Sequence, residues 1–180
     1  MTYEGRPSSI RRMRLRPLLG AVGYLKRGRS RCFVCAFLEG DPGYSHHLVY
    51  EDASSVAFLD KGPRLWGTVL VAPKDHREHV TGDFTAEQYL GLQRVVYRVG
   101  EAVRTILPCE RLYIMSMGSQ QLNRHVHWHV APLPPGVRLP LQQLRAFSEL
   151  ISGVLVGPDE EFALLAQRIR EELLIAERHP

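Results

Sequence analysis

The sequence predicts an α+β protein with a mainly antiparallel sheet of about five strands, one long helix and helices at the C-terminal end. Three observations carry that prediction. Short β-branched runs come first, a single long amphipathic segment follows, and two further short runs come after it. Strands and helices therefore do not alternate as a doubly wound parallel sheet requires.

The elements read in order as follows. Residues 32–38 form a short apolar run ending near Gly40, enough for one or two helical turns, and Pro42-Gly43 makes a turn. Residues 48–51, 56–60 and 68–72 read as strands by length and β-branched content, and Pro73 stops the third. Residues 85–107 are the clearest helix. Thr85 with Gln88 fits a capping box, Tyr89, Leu92, Val96, Val99, Val103 and Ile106 follow the helical period, and Pro108 ends it. Residues 112–117 and 125–131 read as two more strands around a turn at 118–124. Helices are expected at 140–151 and 159–176, the second opened by Pro158 and three acids that suit a helix N-terminus.

The chain of 180 residues is 44% hydrophobic and 23% charged, enough for one well-packed domain but not comfortably two. We set apart residues 1–30 as a basic extension, 31–135 as the body and 136–180 as a C-terminal helical extension. The net charge of +4 is unevenly placed. Residues 1–31 hold nine Lys or Arg against one acid, and the rest holds fourteen against eighteen. The basic arm has three readings. Residues 17–25 are apolar behind a basic stretch, as in a signal peptide, but two glycines and a proline interrupt them and no small-residue cleavage site follows. A nucleic-acid-contacting or transit-like arm would rest on charge alone. The simplest reading is a solvated extension packed loosely on the body. No apolar run reaches the roughly 18 residues of a membrane span, so no membrane partner is expected. Three cysteines, an odd number, do not form a disulfide framework, and a reducing, cytoplasmic setting follows.

The densest chemistry lies in His125-Val126-His127-Trp128-His129. In an extended strand the three imidazoles share one face, while Val126, Trp128 and Val130 share the other and can enter the core. Surface histidines or a metal site are alternatives. The row suits phosphoryl or nucleotidyl transfer, because a neutral imidazole is both a good nucleophile and a good leaving group near pH 7. A neighbouring imidazole can donate to the phosphate oxygens, and the preceding loop can add backbone N–H groups. Upstream, Cys32-x-x-Cys35 has the spacing of zinc ligands, with a redox pair as the rival reading.

The run His125-Val126-His127-Trp128-His129-Val130-Ala131 resembles the signature of the histidine triad (HIT) family, in which histidine and apolar residues alternate. Val49-Tyr50-Glu51-Asp52, Ala57-Phe58-Leu59-Asp60 and Gly67-Thr68-Val69-Leu70-Val71-Ala72-Pro73-Lys74-Asp75-His76 follow that family's order and spacing. The resemblance covers about residues 31–134. It implies a homodimeric nucleotide hydrolase or nucleotidyltransferase. The nucleotide is expected to contain adenine and is attacked at its α-phosphate through a nucleotidyl-histidine intermediate. His127 would be the nucleophile, and His129 would bond the phosphate or leaving group. Asp60 would accept hydrogen bonds from the ribose, with Phe33, Val34, Phe37 and Phe58 around the base. Ser119, Gln121 and Asn123 would contact the nucleotide from the loop before the triad. Members with a similar cysteine pair imply a structural zinc held by Cys32, Cys35, His76 and His125, with no organic cofactor; His46, His47 and His79 are rival ligands, or else surface residues. The chain departs from the family at Gln120-Gln121-Leu122, where Gly-Gln-Ser is common, and at Thr68, where a histidine is common. A zinc-stabilised module that binds nucleotides or nucleic acid without turnover is the second reading. A sugar-1-phosphate nucleotidylyltransferase is a remoter third.

Overall fold

The computed structural model describes residues 5–13, 31–117, 124–148 and 152–178. Its centre is a five-stranded antiparallel sheet in the order β2-β3-β4-β6-β5. The strands are β2 (Leu48–Glu51), β3 (Ser55–Leu59), β4 (Val69–Pro73), β5 (Arg111–Met115) and β6 (Trp128–Leu133), with β1 (Arg11–Met13) lying outside this sheet.

Alternation along β3 shows why both sheet faces are covered. Ala57 and Leu59 point into the main core and Val56 and Phe58 into a second one. The second core is closed by α1 (Phe33–Leu38), which lays Val34 against Phe58, Leu70 and Ala72. The main core is closed by α2 (Ala86–Ile106), which buries Leu92, Val95, Val96, Val99, Ala102 and Val103. Each such aliphatic side chain is worth roughly 1.5–3 kcal/mol of transfer free energy. Thr85 caps α2 as predicted, with the Gln88 N–H donating to its Oγ1 at 3.2 Å and its own N–H donating to Gln88 Oε1 at 3.0 Å. Leu107 is extended, as the residue before a proline prefers, and the helix stops there. Gly67 enters β4 with φ at +85°, a conformation that favours glycine.

Of the two helices predicted at the C-terminal end, that at 159–176 forms, and that at 140–151 is replaced over its described residues by shorter elements. A 3₁₀ turn at Leu139–Leu141 leads into the short α3 (Gln142–Phe147), then a strand, β7 (Val154–Val156), and then α4 (Asp159–Arg178). Helix α4 packs Phe162, Leu165, Ala166, Ile169 and Leu173 into the main core, against α2 and β2.

The solvated reading of the basic arm fails for residues 5–13. Strand β1 pairs antiparallel with β7, Arg12 opposite Leu155. Ile10 is fully buried in the main core. The Arg12 guanidinium donates to the carbonyls of Arg64 at 2.9 Å and Ser152 at 2.8 Å. Charge alone suggested solvation, but one buried isoleucine and one satisfied arginine hold this stretch to the body. Among the described residues no helix is long and apolar enough to cross a membrane.

Candidate active site and metal centre

Strand β6 begins at Trp128, three residues later than predicted, so His125 and His127 stand on the segment leading into it. The facing predicted from alternation survives the shift. Val126, Trp128 and Val130 are buried in the main core, with Trp128 packed edge-on against Phe84 and Tyr89. The lead-in is held extended by the Val126 N–H, which donates to the Arg77 carbonyl at 2.7 Å.

Each imidazole has its own environment. His125 is fully buried, and its Nε2 lies 2.8 Å from the Pro73 carbonyl. A carbonyl can only accept, so Nε2 carries the proton and Nδ1 carries the lone pair. That lone pair faces sulfur: Cys32 Sγ at 3.4 Å and Cys35 Sγ at 3.6 Å. Cys35 Sγ also lies 3.3 Å from His76 Nδ1. The donor atoms of Cys32, Cys35, His76 and His125 all lie within 4.8 Å of one another.

This donor set fits zinc. A tetrahedral ion with Zn–S near 2.3 Å and Zn–N near 2.0–2.1 Å sets sulfur and nitrogen about 3.5–3.6 Å apart. Four side chains fill the shell, which is the pattern of a structural rather than a catalytic site. The second shell is also in place, since the Pro73 carbonyl fixes the His125 tautomer. Burial, then the adjacent Cys32, pushes the Cys35 thiol up to about 11, and a cation would relieve that crowding.

His127 is half-buried and oriented the opposite way round. Its Nδ1 donates to the His125 carbonyl at 2.8 Å, leaving the lone pair on Nε2. That Nε2 lies 3.1 Å from His129 Nε2, which must therefore donate. Burial holds both rings below the ordinary imidazole range, His129 at about 3, where His127 and Arg64 add to the effect. At neutral pH the pair is an uncharged acceptor facing a donor. Arg64 shares a small pocket with His129, Met115, Met117 and Phe147.

The other candidate residues divide. Phe33 stacks edge-on to His127 at 5.6 Å and to Phe58 at 6.0 Å, so the aromatic group does adjoin the triad. Phe33 and Phe37 are half-buried, whereas Val34 and Phe58 are wholly buried in the core between α1 and the sheet. His46, a rival zinc ligand or surface residue by sequence, is neither: it lies outside the four-donor cluster and is partly buried. Its ring lies 4.7 Å from Phe58, 5.4 Å from Phe37 and 5.8 Å from Phe33, and its Nδ1 is buried with no hydrogen-bond partner. Asp60 follows β3, accepts the Gly62 N–H at 2.9 Å and opens on a cleft of about 220 Å³ with Lys61 and His47. Ser119, Gln121 and Asn123 lie outside the described residues. His47 and His79 stand apart from the four-donor cluster. Lys61 is not singled out by the sequence, although it stands next to Asp60. Arg64 is not singled out either, and the roles of His46 and His47 carry no local signal, because tertiary packing brings all three to their places.

A catalytic-looking histidine row on an antiparallel sheet, beside a four-donor metal centre, is the combination the histidine triad resemblance implies. The family model described as the HIT domain matches residues 42–135, and the chain belongs to that family. An uncharacterised HIT-like protein of Saccharolobus solfataricus is 31% identical over 105 residues, 56% of this chain and 73% of its own length. An adenosine 5'-monophosphoramidase of Schizosaccharomyces pombe is 28% identical over 135 residues, 67% of this chain and 96% of its own. Among solved structures, a zinc-bound histidine triad family protein from Mycobacterium smegmatis superposes with a TM-score of 0.65 at 25% identity, covering 83% of this chain and 97% of that one.

Proposed function

We propose that the chain is a nucleotide hydrolase or nucleotidyltransferase that works through a covalent nucleotidyl-histidine, with a structural zinc on Cys32, Cys35, His76 and His125. The observation that carries this reading is the tautomer of His127. Its Nδ1–H is anchored on the His125 carbonyl, and its Nε2 lone pair faces the donor His129 Nε2. Nε2 attacks the α-phosphorus, a P–N bond forms, and the bond from phosphorus to the leaving group breaks. The anchored Nδ1–H lets the His125 carbonyl share the positive charge that develops on the ring. The His129 Nε2–H turns from His127 to the phosphate or leaving-group oxygen. Water or another acceptor then breaks the P–N bond and restores the neutral ring.

The metal centre supports this chemistry by position. His125, held there by its ring, would be fixed by a zinc bound to the four donors, and with it the carbonyl that sets the His127 tautomer. Asp60 accepts the ribose hydroxyls, and Phe33 and Phe37 offer the half-buried aromatic surface for the base. The S. pombe relative acts on an adenosine phosphoramidate, so adenosine 5'-phosphoramidate is the first substrate to test.

His127→Asn should keep nucleotide affinity and lose several orders of magnitude in turnover. Quenched wild-type protein should carry nucleotide on a phosphorus–nitrogen bond that is labile in acid and stable in base. Substantial turnover by His127→Asn would end the proposal.

A further inference from the structure

The cleft beside Asp60 has two walls of different origin. Asp60 and Lys61 follow β3 and His47 precedes β2, all within the span that the family model matches. Gly157, Asp159 and Phe162 come from the C-terminal segment, outside that span. The walls are tied across the cleft, since His47 Nε2 lies 2.9 Å from Asp159 Oδ1 and the His47 ring stacks on Phe162 at 6.5 Å. Building on the reading of Asp60 as the ribose acceptor, we propose that the C-terminal segment completes the sugar subsite. A ribosyl group sits between the carboxylates of Asp60 and Asp159, and Asp159 sets selectivity for the free vicinal diol.

The size and chemistry of the cleft favour this occupant. About 220 Å³ falls short of the roughly 300–1,000 Å³ that enclose a whole drug-sized ligand, so the cleft suits one part of a nucleotide. Two carboxylates accept from hydroxyls, and Lys61 and His47 can donate back to them. The basic groups offset the acids, which disfavours phosphate and suits a neutral polyol. Phe162 and Leu59 give the apolar side that the C–H face of a sugar needs.

The far wall is held by the N-terminal residues. Strand β1 pairs with β7, which leads into Gly157. A Cβ at Gly157 would lie 2.4 Å from the Ile10 side chain, so glycine allows the close approach that seats this turn. Two stretches that flank the family-matched span thus form and brace one wall of the substrate site.

The test measures binding of AMP and 2'-deoxy-AMP to the full chain by calorimetry. Wild type should prefer AMP. Asp159→Ala and Asp159→Asn should weaken AMP about ten-fold and leave 2'-deoxy-AMP within about two-fold, on the scale of one charge-assisted hydrogen bond. Glu160→Gln, an exposed acid of the same helical turn, should change neither. If Asp60→Ala abolishes the preference and both Asp159 variants keep it, the role of the C-terminal segment is overturned while that of Asp60 stands. If Asp60→Ala also keeps the preference, or wild type binds neither nucleotide, the reading of Asp60 falls and this inference with it. Thermal unfolding separates these outcomes from misfolding, because Asp159→Asn keeps a residue suited to a helix start.

Discussion

Two carbonyls, of Pro73 and His125, decide what the triad histidines do. Each fixes a proton on one ring nitrogen and leaves the lone pair on the other, which faces sulfur at His125 and His129 at His127. The triad was readable because period-two spacing makes three imidazoles share a face, whereas the four-donor set was readable only through the family resemblance, since Cys32-x-x-Cys35 alone names two ligands. Tautomers were not readable, since they depend on carbonyls 52 residues and two residues away. The zinc assignment makes one prediction here. Purified protein should contain about one zinc per chain, and Cys35→Ser should lose metal and stability together. Full metal retention by that variant would reject the assignment. His46 makes a second. Burial, then Lys61, lowers it from 6.5 to about 4, with the Leu59 carbonyl opposing. The unfolded chain thus binds a proton at a higher pH than the folded one, and stability falls as pH drops from about 6.5 toward 4. His46→Phe should lose less stability than wild type between pH 7.5 and pH 5 in denaturant titrations. Equal losses would show that the ring is not held neutral by its aromatic neighbours.

Elements were legible in proportion to how much of their reason is local. Helix α2 carries its own cap, period and proline stop, and it formed where its residues said it would. Strands β2 to β4 have β-branched runs bounded by turns. Strands β1 and β7 have three residues each and exist only through each other, so no window of sequence can announce them. Strand β6 starts late because the His125 and His127 segment is held by a single backbone bond to the Arg77 carbonyl rather than by a ladder. The β1–β7 ribbon has a measurable consequence. Ile10→Ala should destabilise the fold by about 2–5 kcal/mol, the range for a buried Ile truncation. Denaturant unfolding would check it. A change below 0.5 kcal/mol would return the N-terminal residues to the status of a solvated arm.

At the scale of the whole molecule, the sheet ends on an edge that invites a second copy. Strand β5 pairs with β6 and lies at the edge of the five-stranded order. An edge strand presents N–H and C=O groups that another strand can take up. The apolar surface beside it is exposed: Ile114 at 47% on β5, and Leu90 at 57% and Tyr97 at 67% on α2. Leu90 and Tyr97 are two helical turns apart and share a face. Tyr97 precedes Gly100 by one turn, and Gly100 sits against Leu112 and Ile114 of β5, so helix and strand offer one continuous patch. A two-fold axis perpendicular to β5 would pair the two edges antiparallel and bury both patches at once, satisfying the backbone and the apolar side chains together. We therefore expect a homodimer with an interface near the ordinary size of roughly 1,200–2,000 Å². Sedimentation equilibrium at tens of micromolar should give twice the chain mass. Ile114→Glu and Tyr97→Glu should each shift the protein toward monomer, because either buries an unpaired charge at the seam. The four metal donors and the His127–His129 pair all come from one chain, so the monomeric variants should still bind zinc and nucleotide. A wild type that sediments as a monomer would leave the exposed edge without its partner and reject this arrangement.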